Sequence, residues 1–244
     1  MKNVLLFLLL LSLAFTGHTQ QRPSMYFSDT TRLGRPMAKD PCVVRFKNQY
    51  LLYYSIPENK TTGWGIGIAS STDLTHWQKV GELTPAAAYE QKGLCAPGAL
   101  VRGDTVHLFY QTYGNGPQDA LCHAVSADGV HFRRDASNPI FHPTGAWTVG
   151  RAIDAEVVPF RGQYFLYFAT RDPAYKVQMQ GVATAPLSTG FGRTAWQQQG
   201  TGPVLAPPYP GRRTAWKELR AYKKASTCTY STPAPTTTSP SRSA

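Results

Sequence analysis

Acidic residues are scarce in this 244-residue chain, where 14 Asp and Glu stand against 25 Lys and Arg. Such a balance ordinarily raises nucleic acid or an anionic surface as a partner. Its distribution argues against both: from Pro207 to Ala244 seven basic residues face the single acid Glu218, so this tail supplies +6 of the net +11. Cysteine is sparse too. Cys42, Cys95, Cys122 and Cys228 form no C-x-x-C and no Cys/His cluster, which excludes a zinc ribbon and a dense disulfide framework. Cys95 and Cys122 are the pair closest in sequence; a bridge between them and two buried thiols are both compatible with an exported chain. Apolar runs of spanning length are missing, because Val4 to Ala14 is far shorter than the roughly 20 residues a bilayer demands. Gly63 to Gly67 leads into no helix and no Gly-Lys-Ser/Thr, so no phosphate loop is present, and six scattered histidines define no Ser/His/Asp set.

Against these absences stand 42% apolar and 12% aromatic residues, enough for one sizeable core. Lys2, the apolar run and Thr16-Gly17-His18-Thr19 make the three parts of a secretory signal over residues 1–19. The mature protein is therefore expected to be soluble and secreted or periplasmic, with no membrane contact after signal cleavage and no nucleic acid partner.

A repeat organises the rest. Asp40 to Tyr54, Ala96 to Tyr110 and Asp154 to Phe168 align without a gap: a leading residue, a short apolar strand, a polar turn and an aromatic strand. The leading residues fall 56 and 58 residues apart. In the first unit Val43 to Phe46, Tyr50 to Tyr54 and Gly63 to Ser70 read as strands, with an edge strand around Trp77. The other units repeat this order, with edges near Phe132 and Trp196. Four short strands per unit at such a period predict an all-β fold, a β-propeller with about three complete blades at 40–95, 96–150 and 151–206 inside a domain of residues 20–206. The alternative is an open β-sandwich, which lacks such a period.

Lys39-Asp40-Pro41, Ala96-Pro97, Ile153-Asp154 and the Ser-x-Asp-x-x-x-Trp turn at Ser71 to Trp77 together resemble the five-bladed propeller glycosidases of glycoside hydrolase family 43. The resemblance implies an O-glycosyl hydrolase whose partner is a carbohydrate, arabinofuranoside- or xyloside-like, and whose blade-leading residues meet at a central channel. It implies Asp40 as the general base that activates water for inversion, and Asp154 as the aspartate that orients and tunes the acid. Inversion needs a base and an acid held about 6.5–9.5 Å apart, and a further carboxylate raises the acid's pKa by like-charge repulsion. A strand-initiating turn before Pro41 is the plainer reading of Asp40. Glu156 shares a strand face with Asp154 and is a candidate substrate contact. Arg171 and Asp172 are others, since related fructan-cleaving propellers bind substrate through Arg-Asp-Pro; there the triplet opens a blade, whereas Arg171-Asp172-Pro173 follows a second strand. Trp64 is a candidate stacking platform, as are Tyr113, Trp147 and Tyr175, although such aromatics also build cores. No cofactor and no metal ligand set is indicated, and a structural calcium stays open.

The family's general acid is a glutamate opening a fourth blade, and Glu218 is the only acid beyond Pro207. From Ser226 to Ala244, 16 of 19 residues are Ser, Thr, Pro or Ala, which reads as a linker or as out-of-frame text. The junction of Trp216 and Lys217 codons must read GAA, a glutamate, and later junctions permit Gly, Tyr and Phe at the offsets seen after Asp154. A frameshift near Pro207 is the expectation, and with it little hydrolase activity for the chain as written. A non-catalytic carbohydrate-binding propeller and a fructan-cleaving relative are the alternatives.

Overall fold

The computed structural model describes residues 27–206. The leader at 1–19 and the tail with Glu218 lie outside the described residues. The chain forms three four-stranded antiparallel sheets, each in simple chain order. Sheet one holds β1 (Lys39–Phe46), β2 (Gln49–Ile56), β3 (Gly65–Ser71) and β4 (Gln78–Leu83). Sheet two holds β5 (Leu94–Arg102), β6 (Thr105–Thr112), β7 (Leu121–Ser126) and β8 (Arg133–Arg134). Sheet three holds β9 (Ile153–Phe160), β10 (Gln163–Arg171), β11 (Gln178–Pro186) and β12 (Gln197–Gln198). Among the described residues no helix is long and apolar enough to cross a membrane.

Local chemistry explains the meanders. Two-residue loops join the first two strands of every sheet, and Lys47, Gly103 and Arg161 open them with positive φ, the conformation tight hairpins require. After β3 and β7 a serine turns the chain. Ser71 Oγ accepts from the amides of Asp73 and Leu74, and Ser126 Oγ from those of Asp128 and Gly129. Asp73 and Asp128 then accept from the amides two and three residues on, which holds both carboxyls well below the usual range. The predicted edge aromatics Trp77, Phe132 and Trp196 sit in these turns and the fourth strands begin one residue later.

The sheets stack face to face, so their second strands read as apolar runs rather than alternations. Phe46, Leu51, Tyr53 and Ile68 of sheet one pack with Leu94, Leu108 and Tyr110 of sheet two. Phe109 and Leu121 on the opposite face of sheet two pack with Val157, Leu166 and Phe168 of sheet three. Each such side chain, once buried, contributes about 1.5–3 kcal/mol. The outer face of sheet one is closed by the segment before β1: Phe27 meets the Tyr54 ring at 5.3 Å, and Asp29 accepts from the Tyr54 hydroxyl at 2.7 Å and pairs with Lys79 at 2.8 Å. Cys95 and Cys122 are buried thiols that are not joined, so the bridge considered between them is not made.

First strands run side by side, β1 against β5 and β5 against β9. Gly98 marks how close they come, since a Cβ there would collide with the carbonyl oxygen of Ala155. The result is a partial β-propeller whose inner strands line one axis.

Candidate active site

Each inner strand begins with a bulge. Pairing between the first two strands shifts register between Lys39 and Cys42, between Cys95 and Gly98, and opposite Tyr167 to Ala169. At each bulge the blade-leading residue has left-handed backbone: φ is 53° at Asp40, 49° at Ala96 and 54° at Asp154. The bulge lets the first strand of blade one begin earlier than the predicted Val43, at Lys39, because pairing resumes beyond it, and β5 and β9 begin likewise at Leu94 and Ile153.

Polar side chains at one repeated offset stitch the blades together at these bulges. Ser55 stands 15 residues after Asp40, and Gln111 stands 15 after Ala96. Ser55 Oγ donates to Asp40 Oδ2 at 2.8 Å and accepts from the Ala96 amide at 2.8 Å. Gln111 Oε1 accepts from the Asp154 amide at 2.8 Å. The second strands of blades one and two thus hold the leading residue of the following blade, and Ser55 also holds the carboxylate of its own.

Cations and aromatics complete the rim. Lys39 Nζ lies 3.3 Å from Asp40 Oδ2, 4.8 Å from the Trp64 ring centre and 5.7 Å from that of Tyr113. Trp64 and Tyr113 themselves meet at 5.5 Å. Burial works hardest against the Lys39 ammonium, but Asp40, by charge and hydrogen bond, together with Cys95 and Tyr113 outweighs it and the pKa rises. Cys95, one residue before Ala96, has its thiol pushed up to about 12: burial dominates, Lys39 opposes, and the charges of Asp40 and Asp154 both add. Asp40 and Asp154 thus stand near the starts of β1 and β9, the two inner strands that both pack against β5, which carries Cys95.

The remaining sequence candidates divide. Trp64 joins Asp40 through Lys39. Glu156 lies half-buried on β9 opposite Tyr167. Arg171 ends β10, where its Nη1 donates to the Tyr175 carbonyl at 3.1 Å. Asp172 is a turn former, because its Oδ1 accepts from the amides of Lys176 and Val177 at 2.7 and 2.5 Å. Ser55, Gln111 and Lys39 were missed by sequence reasoning. The signal for the first two was available as a polar residue at one fixed offset near the end of an otherwise apolar strand. Glu82 and Glu90 are taken up in ion pairs with Arg32 and Arg134, so among the described residues no glutamate occupies a blade-leading position. No cluster of His, Cys, Asp and Glu able to hold a metal occurs among the described residues.

Residues 37–181 match the family model described as Glycosyl hydrolases family 32 N-terminal domain. No curated protein sequence matches the chain. Among solved structures, a beta-fructofuranosidase of Bombyx mori is 21% identical with a TM-score of 0.55, over 67% of this chain and 35% of its own. A family 117 glycoside hydrolase of Zobellia galactanivorans is 18% identical with a TM-score of 0.57, over 71% and 58%. Fructan 1-exohydrolase IIa of Cichorium intybus is 16% identical with a TM-score of 0.55, over 70% and 32%. The chain spans about a third of the length of the first of these. The match corrects the family read from the motifs, 32 in place of 43. A strained blade-leading bulge and a four-strand period belong to the architecture, so they do not separate related families that share it.

Proposed function

We propose, from the premise that this chain belongs to glycoside hydrolase family 32 through its N-terminal domain, that its axial site serves the hydrolysis of β-fructofuranosides such as sucrose or fructan. The carrying observation is that Asp40 and Asp154 occupy equivalent left-handed, bulged positions at the head of blades one and three, on inner strands that both pack against β5. The fructosidases among the solved structures support the fructosyl reading over the arabinofuranoside and xyloside one, and a furanose ring is common to fructofuranosides and arabinofuranosides.

In this reading Asp40 is the carboxylate that works at the anomeric carbon, held by Ser55 and Lys39. Asp154 faces it and steadies the positive charge that develops on the ring. Trp64 and Tyr113 offer aromatic faces for the sugar beside Asp40. Protonation of the leaving oxygen requires a carboxylic acid, and the described blade-leading positions supply none. With the leader read at residues 1–19, the reaction takes place outside the cytoplasm.

An activated aryl leaving group departs without an acid, so 4-nitrophenyl β-fructofuranoside separates the two halves of the chemistry. The full chain is expected to release 4-nitrophenol while leaving sucrose nearly untouched, and Asp40→Asn is expected to lower the aryl rate by about 10²–10⁴-fold. Aryl turnover that survives Asp40→Asn would sink the assignment. The anomer released first, followed by NMR, distinguishes water activation by Asp40 from direct attack.

A carbohydrate-binding propeller without catalysis is the second reading, favoured by Ala96 at the second blade-leading position and by the missing acid. It requires sugar affinity that Asp40→Asn leaves intact.

A further inference from the structure

Trp147 Nε1, Arg151 Nε, Arg171 Nε and the Tyr175 hydroxyl are buried atoms without a hydrogen-bond partner among the described residues. Buried polar groups are nearly always partnered, so three N–H donors and one hydroxyl left open on two adjoining loops ask for an external partner. All four lie in two loops, 145–151 ahead of β9 and 171–177 around the end of β10.

Direct contacts bind these loops into one recess. The Val149 amide donates to the Arg171 carbonyl at 3.0 Å, and the Thr148 and Thr170 hydroxyls meet at 2.6 Å. A third loop, 113–119, closes the side. A Cβ on Gly116 would stand 3.7 Å from the Tyr175 hydroxyl, and Arg151 Nε lies 3.3 Å from Asp119 Oδ2, an ion pair without hydrogen-bond alignment. The recess adjoins the axial site, because the Ala152 amide, two residues before Asp154, donates to the Asp119 carbonyl at 2.9 Å.

The chemistry of the orphans selects their ligand. Guanidinium and indole N–H groups only donate. A neutral sugar hydroxyl would bring its own hydrogen and need an acceptor in return. The two carboxylates nearby are engaged: Asp119 Oδ1 accepts from the Asn115 amide at 2.9 Å, and Asp172 is held in its turn by backbone amides. Burial raises the Asp119 carboxyl, and its ion pair with Arg151 reaches only one edge of that guanidinium. A group that solely accepts and carries negative charge satisfies the set, as Arg does with carboxylates and phosphates elsewhere.

We infer that this recess of Trp147, Arg151, Arg171 and Tyr175 binds an anionic substituent on a sugar, a carboxylate or a sulfate or phosphate ester, beside Asp154. The inference rests on the glycosidase reading and adds to it a preference for glycosides that carry such an acidic group.

Calorimetric titration of the full chain with D-glucuronate, D-glucose and inorganic sulfate tests it. Glucuronate is expected to bind at least about tenfold more tightly than glucose, a gap of about 1.4 kcal/mol. Tyr175→Phe removes one hydroxyl only and is expected to narrow that gap, and Arg171→Leu to abolish it. Equal affinity for glucuronate and glucose overturns the inference, as does a gap that survives both variants. Sulfate binding as tight as glucuronate binding overturns the sugar part and leaves a free-anion site. Failure of the glycosidase reading looks different: no neutral or acidic sugar then binds at all, and no aryl fructofuranoside is cleaved. Neutral fructofuranosides cleaved with no advantage for glucuronate leave that reading standing and remove this one alone.

Discussion

Blades one and three lead with an aspartate, blade two with an alanine, yet all three residues share the same left-handed backbone within a few degrees. For an L-residue that conformation costs roughly 1–2 kcal/mol, and a bare methyl group gains nothing chemical from it. The strain at Ala96 is thus a requirement of the bulge by which one inner strand meets the next. The carboxylates at Asp40 and Asp154 are an addition to that architecture, placed where it already forces residues toward the axis. Backbone geometry alone therefore marks positions, and only the side chain marks function.

The largest effect expected from breaking this comparison is on turnover. Asp40→Asn and Asp154→Asn should each lower aryl fructofuranoside cleavage by about 10²–10⁴-fold while thermal unfolding moves little, because both residues keep their shape and backbone. Next in size is blade two, whose buried charges are structural. Glu90 is fully buried, accepts from the Tyr110 hydroxyl at 2.7 Å and pairs with Arg134 at 2.8 Å. Glu90→Ala leaves the partly buried Arg134 guanidinium and the buried Tyr110 hydroxyl without their acceptor and should cost about 3 kcal/mol in chemical denaturation. Loss of activity in that variant should follow unfolding, not precede it.

Ser55→Ala sharpens the comparison from the side of the stitches. Ser55 serves the Asp40 carboxylate and the Ala96 amide at once, whereas Gln111 serves the Asp154 amide. Removing the Ser55 hydroxyl leaves a buried amide unpaired and should cost about 1–3 kcal/mol, with Ser55→Thr restoring much of it. A Ser55→Ala protein as stable as the parent would show that water replaces the hydroxyl.

Acid tests the seam between blades two and three. There His107 stacks on His123 at 5.2 Å, His123 bonds Asp135 at 3.1 Å, and Arg102 and Phe191 close over them. Burial, with His123 and Arg102 adding repulsion, lowers His107 to about 4, and His123 is lowered as well despite Asp135. A group with a depressed basic pKa favours its neutral form in the fold. Its stability is therefore full above the unfolded value of about 6.5 and is lost as pH falls from there toward 4. A melting temperature that falls over that window, and falls less in His107→Phe, is the expected result.

Much of this architecture was legible because the repeat is written in strand residues. Asp40 to Tyr54 and Asp154 to Phe168 carry their apolar pattern, turn and leading acid in the same order, and period and spacing survive any difference in loops. Lys39 was not legible: its relation to Trp64 and Tyr113 depends on where loops of two blades meet. The recess at Arg151, Arg171 and Tyr175 was half legible. Arg171-Asp172-Pro173 drew notice as a triplet, but Asp172 turned out to shape its own loop, and the binding features lie in donors whose lack of partners no sequence can show.

The smallest effect bears most directly on the opening contrast. Ala96→Gly relieves the left-handed strain, keeps the amide that Ser55 accepts, and removes one buried methyl group. Relief of strain is worth about 1–2 kcal/mol, and the extra freedom of glycine in the unfolded chain returns about 0.4–1 kcal/mol of it. Before the packing of that methyl is counted, a net gain of about 0.5–1 kcal/mol follows, or about 1–4 °C in melting temperature for a chain of this size. The same change at Asp40 should raise stability similarly and abolish cleavage. If Ala96→Gly instead destabilises, the methyl group packs well enough to outweigh its strain, and the bulge of blade two is then held by its side chain as well as by its backbone.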